Sequence, residues 1–230
     1  MSVTNASSLA RNSQQLTKQY PSQFVQAEPN WQFEYKTAIT NIEALCDELE
    51  LNSQQLAVDL SSKQAFPLRV PHSYVQRMKK SDPQDPLLLQ VLPQTLEQQK
   101  SLGFSKDPVG DLNSVKTTGL LKKYNGRALL LATSRCAIHC RYCFRQHFPY
   151  SEQNPKNDSW QQVIDTLKND SSINEVILSG GDPLVLSDQQ LEKLVKKIES
   201  VEHISTLRIH TRLPVVIPNR ICNSLSLIHI

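Results

Sequence analysis

The sequence predicts an α/β fold, and three observations carry that prediction. Short apolar runs bounded by turn residues occur at Ala128–Ala132, Glu175–Ser179 and Thr206–Arg212. Two stretches between them repeat their apolar residues at helical spacing, and glycine, proline or cysteine follows closely on each run. The order strand, helix, strand, helix, strand, with a further helix starting near Asn219, argues for parallel strands joined by right-handed crossovers.

Taken in order, residues 1–30 are rich in Ser, Gln and Asn with little apolar periodicity and predict a poorly ordered lead-in or a short surface helix. From Trp31 to Leu51, Tyr35, Ala38, Ile39, Ile42, Leu45, Cys46 and Leu49 fall on one stripe, which predicts an amphipathic helix. Cys46 lies on that stripe and is read as a small core residue. A second helix-like stretch begins near Leu51, after which Pro67, Pro71, Pro83, Pro86 and Pro93 cut the chain into short elements. Residues 31–120 are therefore expected to be helical and loop-rich, and 121–230 to hold the layered part. There, Trp160, Val163, Ile164 and Leu167 make one helical face. Leu191, Leu194, Val195 and Ile198 make another, opened by a capping box of Ser187 and Gln190. Beyond the carboxyl ends of the three strands fall a cysteine loop, the turn Gly180-Gly181-Asp182-Pro183, and His210 with Arg212, and chemistry gathers at that end in such folds.

Composition describes an ordinary globular chain: 230 residues, 20% charged, 6% aromatic and a formal net charge of +3. With no block of basic residues, the charge makes no case for nucleic acid or a membrane surface. No secretory signal stands at the N-terminus, no apolar run approaches a membrane span, and five cysteines is an odd number. A cytoplasmic, reducing setting is expected.

Cys136, Cys140 and Cys143 are spaced C-x3-C-x2-C in Thr133-Ser-Arg-Cys-Ala-Ile-His-Cys-Arg-Tyr-Cys-Phe-Arg-Gln-His147. Three thiolates can hold three irons of a [4Fe-4S] cluster and leave the fourth iron open to a ligand, whereas electron-carrying clusters are usually closed by four cysteines. The alternative is a structural zinc knot that adds His139, His147 or Cys222 to the trio, although zinc motifs usually come as two close pairs and no second C-x2-C is present.

With Tyr142 before its last cysteine, this spacing resembles the cluster loop of the radical S-adenosylmethionine (SAM) superfamily. Within it, the chain is similar to the lysine 2,3-aminomutases, closest to the branch that makes β-lysine for elongation factor P. The stretches that carry the resemblance are Asp82-Pro-Gln-Asp-Pro86, Leu89-Gln-Val-Leu-Pro93, Lys123-Tyr-Asn-Gly-Arg127, Cys136 to Tyr150, Ser179-Gly-Gly-Asp-Pro-Leu184 and Arg208 to Pro218. The resemblance implies a partial, TIM-like (β/α)6 barrel of about three βα units. It also implies an isomerase that moves the amino group of L-lysine from carbon 2 to carbon 3, using a [4Fe-4S] cluster, SAM and pyridoxal 5′-phosphate. An electron donor such as flavodoxin or ferredoxin would serve it, with a functional link to elongation factor P and its β-lysine ligase.

Residue by residue, the resemblance implies Cys136, Cys140 and Cys143 as cluster ligands and Tyr142, Gly180, Gly181 and Asp182 as SAM-binding residues. Taken alone, the Gly-Gly-Asp-Pro run is the ordinary vocabulary of a tight turn. Lys123 and Arg127 match residues that contact pyridoxal phosphate, although by themselves they read as a solvated surface pair. Arg145 matches the residue that receives the substrate carboxylate, a role suited to a guanidinium fork. The lysine expected to form the cofactor aldimine and the carboxylates that grip the substrate ammonium have no counterpart before Ile230. The tail Ser224-Leu-Ser-Leu-Ile-His-Ile230 does not follow the family pattern, so a C-terminally truncated or inactive member is a further expectation, and Cys222 receives no role.

Overall fold

The computed structural model describes residues 30–53, 56, 67–99, 102–153 and 160–226. The expected lead-in, and most of the helical stretch expected after Leu51, lie outside the described residues. Residues Trp31–Ile230 form one compact unit. It is a mixed α/β structure built on a five-stranded sheet in the order β1 (Val115–Thr117), β2 (Leu120–Tyr124), β3 (Arg127–Thr133), β4 (Glu175–Gly180) and β5 (Thr206–Ile209). β3, β4 and β5 run parallel, with Leu129 opposite Ile177 and Ile177 opposite Arg208. β4 lies between β3 and β5 and is buried through Ser179, which is why its apolar run is continuous rather than alternating.

Two antiparallel strands precede the parallel set, and the sequence reading missed both. β2 turns into β3 through Asn125-Gly126, with Tyr124 opposite Arg127 and Gly126 at φ +78°. An Asn-Gly pair between apolar runs is a hairpin signal, so the turn was legible in principle.

The stripe from Tyr35 to Leu49 is buried as expected apart from a half-buried Tyr35, but it is not one helix. The chain forms α1 (Trp31–Lys36) and α2 (Ile42–Glu48), separated where Ile39 pairs with Val70 in an antiparallel bridge. Asn41 then caps α2 by accepting from Ala44 N at 3.0 Å. A single helix would have kept the stripe on one side but lost this pairing. Cys46 is 2% exposed in the core. The proline-rich stretch holds only α3 (His72–Val75) and short 3-10 turns.

After β3 come α4 (Tyr150–Gln153), α5 (Gln161–Lys168) and α6 (Asp188–Glu199). The two helical faces bury the residues that periodicity named, and the Ser187/Gln190 capping box is formed in both directions. β5 ends at Ile209, three residues short of the expected run, because Thr211, Arg212 and Leu213 turn inward to donate to the Asp182 carboxylate. α7 (Leu213–Val216) follows. The helix expected near Asn219 gives way to a 3-10 turn at Pro218–Arg220 before α8 (Asn223–Ser226).

One core runs through all of this. Ile39, Leu45, Tyr74 and Leu88 pack in the same apolar cluster as Leu130, Leu178, Leu194 and Val216. Arg220 is fully buried: it donates to the carbonyls of Leu184 (2.8 Å) and Leu186 (3.2 Å), pairs with Asp188 at 2.7 Å and lies 4.5 Å from the Trp31 ring. Nε and Nη2 of this buried guanidinium meet acceptors, and the charge is offset by Asp188 and the Trp31 ring, while Nη1 has no hydrogen-bond partner among the described residues.

Candidate functional site

The cysteine loop leaves β3 at Thr133 and is held from beneath by the helical, loop-rich region. His139 N donates to the Arg69 carbonyl (2.9 Å) and Arg141 N to the Gln90 carbonyl (2.8 Å). Arg141 Nη1 reaches Leu89 O at 2.9 Å, and the same guanidinium pairs with Glu97. Ala137 and Ile138 are buried and anchor the loop, while the three thiols remain half-buried. Backbone bonds thus fix the loop, and its cysteines stay available.

The trio shares one electrostatic environment. Burial, followed by the negative charges of Asp182, Cys143 and Cys140, pushes the Cys136 thiol from 9.0 up to about 12. Burial also raises the Cys140 thiol, opposed by the adjacent Arg212 guanidinium. Among the described residues no three His, Cys, Asp or Glu side chains are gathered tightly enough to hold a single ion. His139 faces the Pro67 carbonyl through Nδ1 at 2.7 Å, and Cys222 contacts Ser224 at 3.1 Å. Three thiols that influence one another from a fixed loop, with a cation beside one of them, fit a larger polynuclear group in their donor chemistry.

Gly180, Gly181 and Asp182 meet the start of this loop directly. Gly181 N donates to Thr133 O (2.7 Å) and Asp182 N to Arg135 O (2.8 Å). A Cβ on Gly181 would stand 2.2 Å from the Arg135 carbonyl oxygen, so the glycine is required by the approach of a neighbouring backbone. Gly181 thus has a structural reason beside the SAM-binding role that the resemblance implies for it. Asp182 is 7% exposed, and its oxygens accept from Leu184 N, Thr211 Oγ1, Arg212 N and Leu213 N at 2.6–3.0 Å. Its carboxylate braces the ends of β4 and β5 and is already committed within the chain. Tyr150 donates from its hydroxyl to Gly180 O at 2.6 Å, and burial raises its pKa. The brace and the tyrosine anchor both escaped the sequence reading.

Tyr142 is exposed and turns its ring toward Arg212, whose guanidinium carbon lies 5.4 Å from the ring centroid. Arg145 is brought to the same end of the sheet. Its Nε pairs with Asp111 at 2.8 Å, and Nη1 donates to Ser179 Oγ at 3.3 Å. It borders an open cleft lined by Lys106, Asp107, Asp111, Phe144, His147 and Phe148 among others. A carboxylate thus already sits on one edge of this fork. No sequence motif marked Asp111 for that position.

Lys123 and Arg127 are not brought to this end. Arg127 opens β3, so the length of the strand, about 20 Å, separates it from the cysteine loop. It pairs with Glu175 (3.4 Å), which also pairs with Arg208 (2.7 Å), tying the amino ends of three parallel strands. Lys123 is exposed and donates to the Val109 carbonyl. Both therefore stand at the opposite end of β3 from the cysteine loop.

A family model described as a 4Fe-4S single cluster domain matches residues 125–211. The chain is 46% identical over 197 residues to an L-lysine 2,3-aminomutase of Buchnera aphidicola, covering 85% of this chain and 58% of that relative. Proteins of the same name from Haemophilus influenzae and Escherichia coli are each 43% identical over 197 residues, with 58% and 57% of their lengths covered. The chain spans somewhat more than half the length of the curated relatives it matches.

Proposed function

We propose, from a likeness that runs along 85% of the chain, that it belongs to the family of the L-lysine 2,3-aminomutases and is the cluster-binding part of a radical SAM aminomutase acting on lysine. The observation that carries this reading is the meeting of two segments. The loop of Cys136, Cys140 and Cys143 is pinned to the Gly180-Gly181 turn through the backbone of Thr133 and Arg135. When bound, a [4Fe-4S] cluster with one open iron supplies the low-potential electron that splits a carbon–sulfur bond of SAM.

The chain's own residues do the placing. Cys136, Cys140 and Cys143 hold the cluster, and the half-buried Gly180-Gly181 turn borders the place for the amino and carboxylate groups of SAM. Tyr142 covers the loop from the solvent side. Arg145 receives the lysine carboxylate on the guanidinium edge that Asp111 leaves open. Pyridoxal phosphate enters this reading through the family alone. Lys123 and Arg127, at the amino end of β3, are its proposed phosphate contacts.

In its finer form the reading makes the product β-lysine for attachment to elongation factor P by a separate ligase, with free lysine as substrate and a flavodoxin or ferredoxin as electron donor. The stretches that resemble that branch support it. None of the five cysteines is disulfide-bonded, which supports a reducing cytoplasmic setting. Among the described residues no helix is long and apolar enough to cross a membrane. The fold in this reading is part of a (β/α)6 barrel.

Anaerobic reconstitution with iron and sulfide tests the proposal. About four irons per chain, and an electron paramagnetic resonance signal that changes when SAM is added, are expected. Lysine rearrangement with SAM, pyridoxal phosphate and a reductant would establish the activity. One bound zinc without visible absorbance would overturn the reading, and iron loading without rearrangement would limit it to cluster binding.

A further inference from the structure

Resting on the cluster-binding reading above, we propose that Arg212 tunes the reduction potential of the cluster by donating a charged hydrogen bond to the Cys140 sulfur. Arg212 Nη1 donates to Cys140 Sγ, seventy-two positions away in the chain. Its Nη2 donates to Gln90 Oε1 and to the Tyr74 hydroxyl at 3.1 Å. The rings of Tyr74 and Tyr142 lie 5.7 and 5.4 Å from the guanidinium carbon.

This arrangement is built rather than incidental. Gln90 Oε1 accepts from Arg212 and from the hydroxyls of Tyr74 and Tyr142, each at 3.3 Å, so one amide oxygen holds the cation and both rings. At the other end, the backbone N–H of Arg212 is fixed by Asp182 Oδ2 at 2.7 Å. Three regions of the chain, around Tyr74, Gln90 and Asp182, therefore converge to aim one guanidinium at one thiol.

The direction of the effect follows from charge. Guanidinium stays protonated at any accessible pH, and the acceptors it meets besides sulfur are a neutral amide and a neutral phenol. Its charge is thus turned on the thiolate. Reduction adds one electron to the cluster and makes its sulfurs more negative, so a donor and a positive charge at Cys140 favour the reduced state and raise the potential. The aromatic faces add cation–π attraction and keep the guanidinium in place. Arg212 in this role is a positioning and tuning residue that touches a ligand sulfur and not the substrate.

The test is a potentiometric titration of the reconstituted 230-residue chain, followed by electron paramagnetic resonance without substrate, alongside Arg212→Gln, Arg212→Lys and Gln90→Leu. Arg212→Gln should keep about four irons and show a midpoint shifted to more negative potential. Arg212→Lys should shift less, since it keeps the charge and loses the fork. An unchanged midpoint in an iron-replete Arg212→Gln chain overturns the proposal. Should that variant load no iron, Gln90→Leu decides: it leaves the charge but removes its anchor, a negative shift supports the proposal and an unchanged midpoint overturns it. If the unaltered chain itself takes up no cluster, the cluster-binding reading falls and this inference with it, a result distinct from failure of the tuning alone.

Discussion

Cys136 shows how a residue of obvious type acquires an unobvious property. Burial first, then the charges of Asp182, Cys143 and Cys140, hold its thiol neutral up to about pH 12. Iron must therefore displace a proton that the iron-free fold holds tightly. A thiol whose pKa is raised on folding stabilises the fold below its ordinary value near 9.0, and that contribution is lost as pH climbs from there toward about 12. We expect the iron-free chain to lose stability toward urea between about pH 9 and pH 12 more steeply than Cys136→Ser, because the serine hydroxyl does not titrate there. Parallel pH profiles for the two chains would refute this. Gly181 is the opposite case, a residue whose type has no chemistry and whose necessity comes from the carbonyl of Arg135.

At the scale of elements, α6 is the most self-sufficient piece of the molecule. Its twelve residues follow the cap Ser187, whose hydroxyl accepts from Gln190 N while the Gln190 side chain accepts from Ser187 N, and its apolar face buries Leu191, Leu194, Val195 and Ile198. Ser187→Ala is expected to cost about 1 kcal/mol, seen as a lower urea midpoint with an unchanged slope. A loss below a few tenths would mean that packing alone sets where α6 begins. α1 and α2 behave differently: the same apolar stripe that would serve one long helix is served by two, because the Ile39 and Val70 backbones satisfy each other.

Across the whole molecule, the helical, loop-rich region and the sheet share one core and jointly hold the cysteine loop. Leu45, fully buried in α2, packs in the cluster that contains Leu130 of β3 and Leu178 of β4. Leu45→Ala should cost about 2–5 kcal/mol and lower a single transition rather than split it. Fluorescence of single-tryptophan chains, Trp31 ahead of α2 and Trp160 beside α5, would report this. Separate midpoints for the two probes would show that the region unfolds on its own.

The sequence by itself determined what short-range geometry controls. The three parallel strands, the faces of α5 and α6, the capping box and the C-x3-C-x2-C loop were all legible, because a short apolar run, a 3.6-residue period and a four-residue cap are complete within a few neighbours. Only the tertiary structure decided which distant groups meet. It spent the Asp182 carboxylate on β5, sent Arg127 to Glu175 at the far end of the strands, placed Asp111 on Arg145, and aimed Arg212 at Cys140. A side chain's partners depend on where the packed core carries its backbone, and no local pattern encodes the path by which residues so far apart in the chain become neighbours.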